Sequence, residues 1–238
     1  MNLRIFSGVS ILLMIGWNYL ANSGLIYENS ISNISEKWPT LFTPAGYTFA
    51  IWGLIYIGLA VFAVQLIAGL NNSKNINQNT LKYILFQSIY NTLWIHAFLN
   101  EWMLLSVILL LLLSLSNFII LMDDSVFKDW QKHIWAIYAG WTLVATFANV
   151  SIALVKSGVP ADSEIVYRVV CVVVALASAL LAVKINRMVI LFSVVWGLLG
   201  IAIKHYDSPG LYYSAMISAF FLFIFTLNRL LKKYRKTA

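Results

Sequence analysis

Residues able to do covalent, proton or metal chemistry are few in this chain and scattered along it. His96, His133 and His205 lie near the ends of apolar stretches and form no spaced pair, so a metal site is not expected. Cys171 is the single cysteine and sits in an apolar run, which leaves no disulfide framework and no cysteine metal site. All nine carboxylates fall in short polar breaks, so none stands ready to orient a histidine base beside a serine. No ionisable group lies near the middle of an apolar stretch, where pumps and proton-coupled carriers keep theirs. Triad, metal and carboxylate-pair chemistry are therefore disfavoured, and the expectation is a protein that is not an enzyme and carries no metal or cofactor.

What remains is neutral amides and aromatic rings at helical spacing. Phe49, Trp52 and Tyr56 recur at three and four residues and share a face. Gln87, Asn91 and Trp94 repeat the pattern, as do Tyr138, Trp141 and Ala145, with Asn149 one turn further on. Amides in a lipid environment must find partners, so these three stripes should face a common interior. Two readings fit the pattern. One is interhelical hydrogen bonding plus aromatic packing. The other is a pocket with flat aromatic walls and a few amide groups.

The elements that carry these stripes are eight apolar stretches, over residues 5–24, 45–69, 81–99, 102–122, 134–155, 165–183, 188–203 and 211–231. Most approach the ~20 residues a helix needs to cross ~30 Å of hydrocarbon. Hydrophobic residues make up 61% of the chain and charged residues 11%, far from the balance of a soluble domain. The expected fold class is all-α, a polytopic membrane bundle of about eight helices. Seven remain open as an alternative, because the seventh stretch is short and only a hairpin, residues 184–187, precedes it. The first stretch, after Arg4, also has the outline of a signal peptide, although Trp17, Asn18 and Tyr19 extend it towards spanning length.

The net charge of +7 does not point to nucleic acid, because its distribution follows the membrane. Arg4, Lys74, Lys82, Lys128, Lys132, Lys184, Arg187, Arg229, Lys232, Lys233, Arg235 and Lys236 fall on one side. Only Lys37, Lys156, Arg168 and Lys204 lie towards the other. The positive-inside rule then puts both termini in the cytoplasm of a plasma or inner membrane, with the basic tail on anionic lipid. The one substantial loop, residues 25–43, falls on the opposite side. Its end, Trp38-Pro39-Thr40-Leu41-Phe42-Thr43, is aromatic enough to suggest a packed lid.

These motifs resemble the tryptophan-rich sensory protein/translocator protein (TspO/MBR) family of five-helix membrane proteins. Pro44 with Ala50-Ile51-Trp52-Gly53 and Tyr56 is similar to that family's second-helix signature. Gln87-x-x-x-Asn91-x-x-Trp94 and Tyr138-x-x-Trp141-x-x-x-Ala145-Thr146-x-x-Asn149 match the spacing of its third and fifth helices. The motifs cover residues 1–155, read as a five-helix translocator-like core, with residues 156–238 as additional helices and a basic tail. The sequence departs from the family in three ways. Thr43 replaces the first proline of its pair, Tyr47 stands near the place of an intervening tryptophan, and Val150–Val155 lacks the aromatic sterol-contact pattern.

The resemblance implies a cavity, capped by the loop, for a tetrapyrrole or other planar hydrophobic molecule. It also implies Trp52 and Trp141 as ring walls and Asn91 and Asn149 as hydrogen-bond partners. The candidate ligand-binding residues are Tyr47, Phe49, Trp52, Tyr56, Gln87, Asn91, Trp94, Tyr138, Trp141 and Asn149. Three functions stand open: a receptor or transporter for such a ligand, a structural or accessory protein acting through helix partners, and a pigment-modifying enzyme. The expected partners are membrane lipid, the hydrophobic ligand, and either a second copy or another membrane protein.

Overall fold

The computed structural model describes residues 2–70, 75–123, 129–160 and 163–237. The side chains of Asp129 and of residues 233–237 lie outside that description, as do Lys74, Lys128 and Asp162, which the charge count above includes.

Each of the eight apolar stretches becomes a helix. They are α1 (Leu3–Asn22), α3 (Ile51–Ala68), α4 (Gln78–Leu99), α5 (Met103–Leu121), α6 (Asp129–Lys156), α7 (Glu164–Ile185), α8 (Ile190–Lys204) and α9 (Pro209–Thr237). The long loop supplies one further helix, α2 (Ile31–Lys37), started by the Ser30 side chain accepting from the Asn33 amide. A 3-10 turn, Gly46–Ala50, then leads into α3. Positive-φ residues at the helix ends, Gly69 after α3 and Asn186 after α7, turn the chain back on itself.

Among the described residues, six helical spans are long and apolar enough to cross a membrane by length and composition. α4 falls short because it carries the amide stripe, and its Gln87 and Asn91 are fully buried in the protein and do not face lipid. α8 falls short in length, at 15 residues. The chain is an integral membrane protein.

Packing gives the order of the helices. α1, α3, α6, α5 and α4 form a closed ring, with α4 returning to α1. α8 packs on the outside of α6, and α9 and α7 pack beyond it. The α6–α8 approach is close because Gly140 lies against the backbone of α8. A Cβ there would sit 2.2 Å from the Ile190 carbonyl oxygen, and the Ser193 hydroxyl donates to the Ile137 carbonyl at 2.6 Å.

Candidate functional site

The interior of the ring is closed by a line of buried hydrogen bonds. Tyr56 on α3 donates to Asn18 Oδ1 on α1 at 2.9 Å, and Asn18 Nδ2 donates to Asn91 Oδ1 on α4 at 2.7 Å. Asn91 Nδ2 donates in turn to the Tyr138 hydroxyl on α6 at 2.8 Å. α5 joins through Ser106, whose Oγ accepts from Asn149 Nδ2 at 2.8 Å. Every ring helix is tied in, as the cost of amides facing hydrocarbon requires. Asn18 was not among the sequence candidates. Its companion at helical spacing, Asn22, stands at the very end of α1, and no aromatic–amide stripe of the kind seen on the other helices marks the pair.

Towards the end of the ring that carries α2, the line gives way to an aromatic cluster centred on Trp52. Its ring stacks on Tyr56 at 5.4 Å and on Trp94 at 5.7 Å between centroids. It meets Tyr138 at 6.0 Å and Trp141 at 6.2 Å edge to face. Trp52 and Trp141 are therefore in direct contact and do not stand as parallel walls of a slot.

The open space lies beside Trp52. A cleft of about 570 Å³ runs between α1, α2 and α3, with Asn18, Phe49, Trp52 and Tyr56 among its lining residues. A second gap of only about 30 Å³ adjoins it across Phe49 and Trp52, lined also by Trp94, Trp141 and Asn149. That is room for a water or one ligand group. The indole nitrogens of Trp94 and Trp141 and the Asn149 Oδ1 are buried without a partner. Two donors and one acceptor thus belong to residues around a single small gap.

The sequence candidates divide accordingly. Phe49, Trp52 and Tyr56 line the cleft, and Phe49, Trp52, Trp94, Trp141 and Asn149 line the gap. Asn91 and Tyr138 lie behind Trp52 in the hydrogen-bonded line, and Gln87 is deeper still, donating to the Ser88 hydroxyl at 2.8 Å. Tyr47 is brought elsewhere. It is half exposed and packs edge-on against Trp196 of α8 at 5.7 Å. Helical spacing accounts for this, since Tyr47 stands five residues before Trp52 and so falls about 140° round the axis from the face that Trp52 and Tyr56 share.

A lid covers this end, and it is tied down at several points. Glu101, in the tight α4–α5 turn, accepts from Lys37, from Trp38 Nε1 at 2.9 Å and from Lys156 at 3.0 Å. The Lys37 ammonium holds its carboxyl far below the ordinary value of 4.5, at about 2, with help from Lys156 and Trp38 against the opposing effect of burial. Tyr27 bonds the His96 ring. From the other side α8 holds the hinge into α3. The Ala45 amide donates to the Gly200 carbonyl at 3.0 Å, and Trp196 Nε1 donates to the Thr48 carbonyl at 2.8 Å. His205 Nε2 also reaches the Thr43 carbonyl at 3.3 Å.

Comparison with known proteins decides the family. The family model described as TSPO-like protein matches residues 4–228. The chain belongs to the TSPO-like protein family. The match takes in residues 156–228 as well, which the motifs of helices α3, α4 and α6 did not reach. In this TSPO-like chain the C-terminal helices therefore lie inside the family's sequence pattern, in keeping with the bonds α8 makes to the hinge of the lid. No curated protein and no solved structure matches the chain.

Proposed function

We propose that this TSPO-like chain is a membrane receptor or carrier for a planar, largely apolar ligand of the tetrapyrrole kind. The ligand would lie in the cleft against Trp52, with one polar edge in the gap. The observation that carries this reading is the pairing of a cleft of about 570 Å³ with an adjoining gap whose lining residues keep unpartnered polar atoms. Burying an indole N–H or an amide oxygen without a partner costs about 1–3 kcal/mol, so a site that leaves such groups open is suited to a ligand that satisfies them. Ring contacts with the aromatic residues that line the cleft, Phe49 and Tyr56 among them, would add roughly 0.5–1.5 kcal/mol beyond area burial and select for flat molecules.

The competing reading, a structural protein with a packed aromatic core, draws on the direct Trp52–Trp141 contact. A plug separates the two. Gly46 lines the cleft, and a Cβ added there meets nothing nearer than the Ser32 hydroxyl at 3.7 Å. Gly46→Phe should therefore fill the cleft without disturbing the ring. Protoporphyrin added to the detergent-solubilised protein is expected to quench tryptophan fluorescence saturably, with at least tenfold weaker affinity in Gly46→Phe at an unchanged melting temperature. Equal affinity in the two proteins, or no saturable quenching in either, would leave the packing reading in its place.

The same proposal places both termini in the cytoplasm. Of the four basic residues on the other side, Lys37 and Lys156 are paired with Glu101 and Arg168 with Glu164. These pairs leave the asymmetry of twelve against four unchanged, because the positive-inside rule counts Lys and Arg and is not a net-charge rule. A periplasm-active reporter fused after Ala238 should be silent.

A further inference from the structure

α7 packs on α8 and α9, and a groove of about 500 Å³ lies open between it and the α5–α6 pair. Its walls are Leu111, Leu115 and Phe118 of α5, Leu143 of α6 and Leu181 of α7. Two hydroxyl residues, Ser114 and Thr146, also line it. Thr146 donates to the Thr142 carbonyl at 2.7 Å, and Ser114 Oγ accepts from the Thr142 hydroxyl at 3.5 Å. The rest of the lining, Lys184 apart, is apolar. The groove reaches from Leu111 to Met122, the cap of α5, eleven residue steps or roughly 16 Å of helix. That is close to the thickness of one hydrocarbon leaflet, about half of ~30 Å.

One charge lines this groove. Lys184 stands at the Met122 end, exposed, and takes part in no hydrogen bond or ion pair among the described residues. An apolar slot one leaflet deep with a single unpaired ammonium at its mouth matches one class of molecule by both length and charge. We infer that this groove is a binding site for one anionic phospholipid, its acyl chain along α5 and its phosphate on Lys184. The zwitterionic lipids of the surrounding bilayer meet the same apolar walls but carry a compensating cation in the headgroup. Preference at this site therefore depends on the lysine.

The test is retention of phosphatidylglycerol against phosphatidylcholine by the full chain, read by native mass spectrometry after titration in detergent. Wild-type protein is expected to keep one phosphatidylglycerol in preference to phosphatidylcholine. Lys184→Gln should weaken that retention about fivefold, the factor one lysine near an anionic surface supplies. Lys232→Gln removes the same charge from a residue that does not line the groove and should leave retention unchanged. A second variant, Leu181→Trp, fills the slot and keeps the lysine, and it should also lose the lipid. Inorganic phosphate at millimolar concentration should not compete, because it lacks the chain. Equal retention of the two lipids, an equal loss in Lys184→Gln and Lys232→Gln, or full retention in Leu181→Trp would each overturn the assignment.

Discussion

The five-helix ring and the three C-terminal helices solve the same packing problem with different materials. Inside the ring, side chains bond across helices: Tyr56 to Asn18, Asn18 to Asn91, Asn91 to Tyr138 and Asn149 to Ser106. Among α7, α8 and α9 the buried positions are, Tyr167 apart, small or aliphatic, including Cys171, Ala175, Ser178, Ala179, Ala215 and Ala219, and the Ser178 hydroxyl turns back to Ala175 in its own helix. Small residues let helix backbones approach and gain dispersion energy without any directional partner. The ring is therefore specified by direction, and the C-terminal group mainly by shape, with a directional tie where Glu164 of α7 accepts from the Leu211 amide of α9 at 2.8 Å. Directional bonds belong where a cavity interrupts the packing, since shape alone cannot fix helices around empty space.

The sharpest way to break this comparison is to remove one polar group from each region. Asn91→Leu leaves both Asn18 and Tyr138 short of a partner and should destabilise the protein by about 3 kcal/mol. Ser178→Ala should cost about 0.5 kcal/mol or less, because only a bond within its own helix is lost. Denaturant titration in micelles measures both, and similar losses would erase the distinction.

A smaller effect tests the seam between the regions. Gly140→Ala drives a Cβ into the Ile190 carbonyl, which is backbone and cannot rotate away, and should cost about 2 kcal/mol. Limited proteolysis between α6 and α7 should report α8 loosening from α6. Within the C-terminal group, Gly210→Ala meets only the end of the Arg168 side chain. That chain can swing aside, so the change should be much the milder of the two, losing at most its solvent-screened pair with Glu164.

The lid provides a test by pH. The Glu101 carboxyl is held at about 2 in the folded protein against an ordinary 4.5. A depressed carboxylate contributes its full stability above the ordinary value and loses it as pH falls through the folded one. The lid should therefore hold above pH 4.5 and loosen progressively towards pH 2. Proteolysis within residues 23–30 should rise over that window in wild type. Glu101→Gln should be cleaved faster already at neutral pH and lose the dependence.

Much of this architecture was legible in the sequence, for a physical reason. Lipid demands long apolar runs, so the eight helices announce themselves, and amides at three- and four-residue spacing mark the face that must turn inward. Partners that lack spacing stayed hidden. Asn18 has only the terminal Asn22 at helical spacing, and Trp196 and His205 act on a hinge some 150 residues earlier in the chain. Reading residues 45–69 as one apolar stretch also hid the 3-10 turn that opens it. Trp52 and Trp141 were rightly placed together inside. That they touch edge to face depends on rotamers and helix crossing, which periodicity does not encode.

The hydrogen-bonded line through the ring also limits how the protein can change shape. Its members engage like the teeth of meshed gears. A helix that slid along its neighbour would release its bonds at once and regain none until it had advanced a full turn, about 5.4 Å. Gradual sliding is therefore closed to the five ring helices, and they behave as a fixed frame. Under the proposed ligand-binding reading, accommodation to a guest would fall to the parts outside the teeth: the Phe49 side chain, the short α2 and the hinge that α8 grips. The frame would then set where the guest sits, and this border region how quickly it enters and leaves.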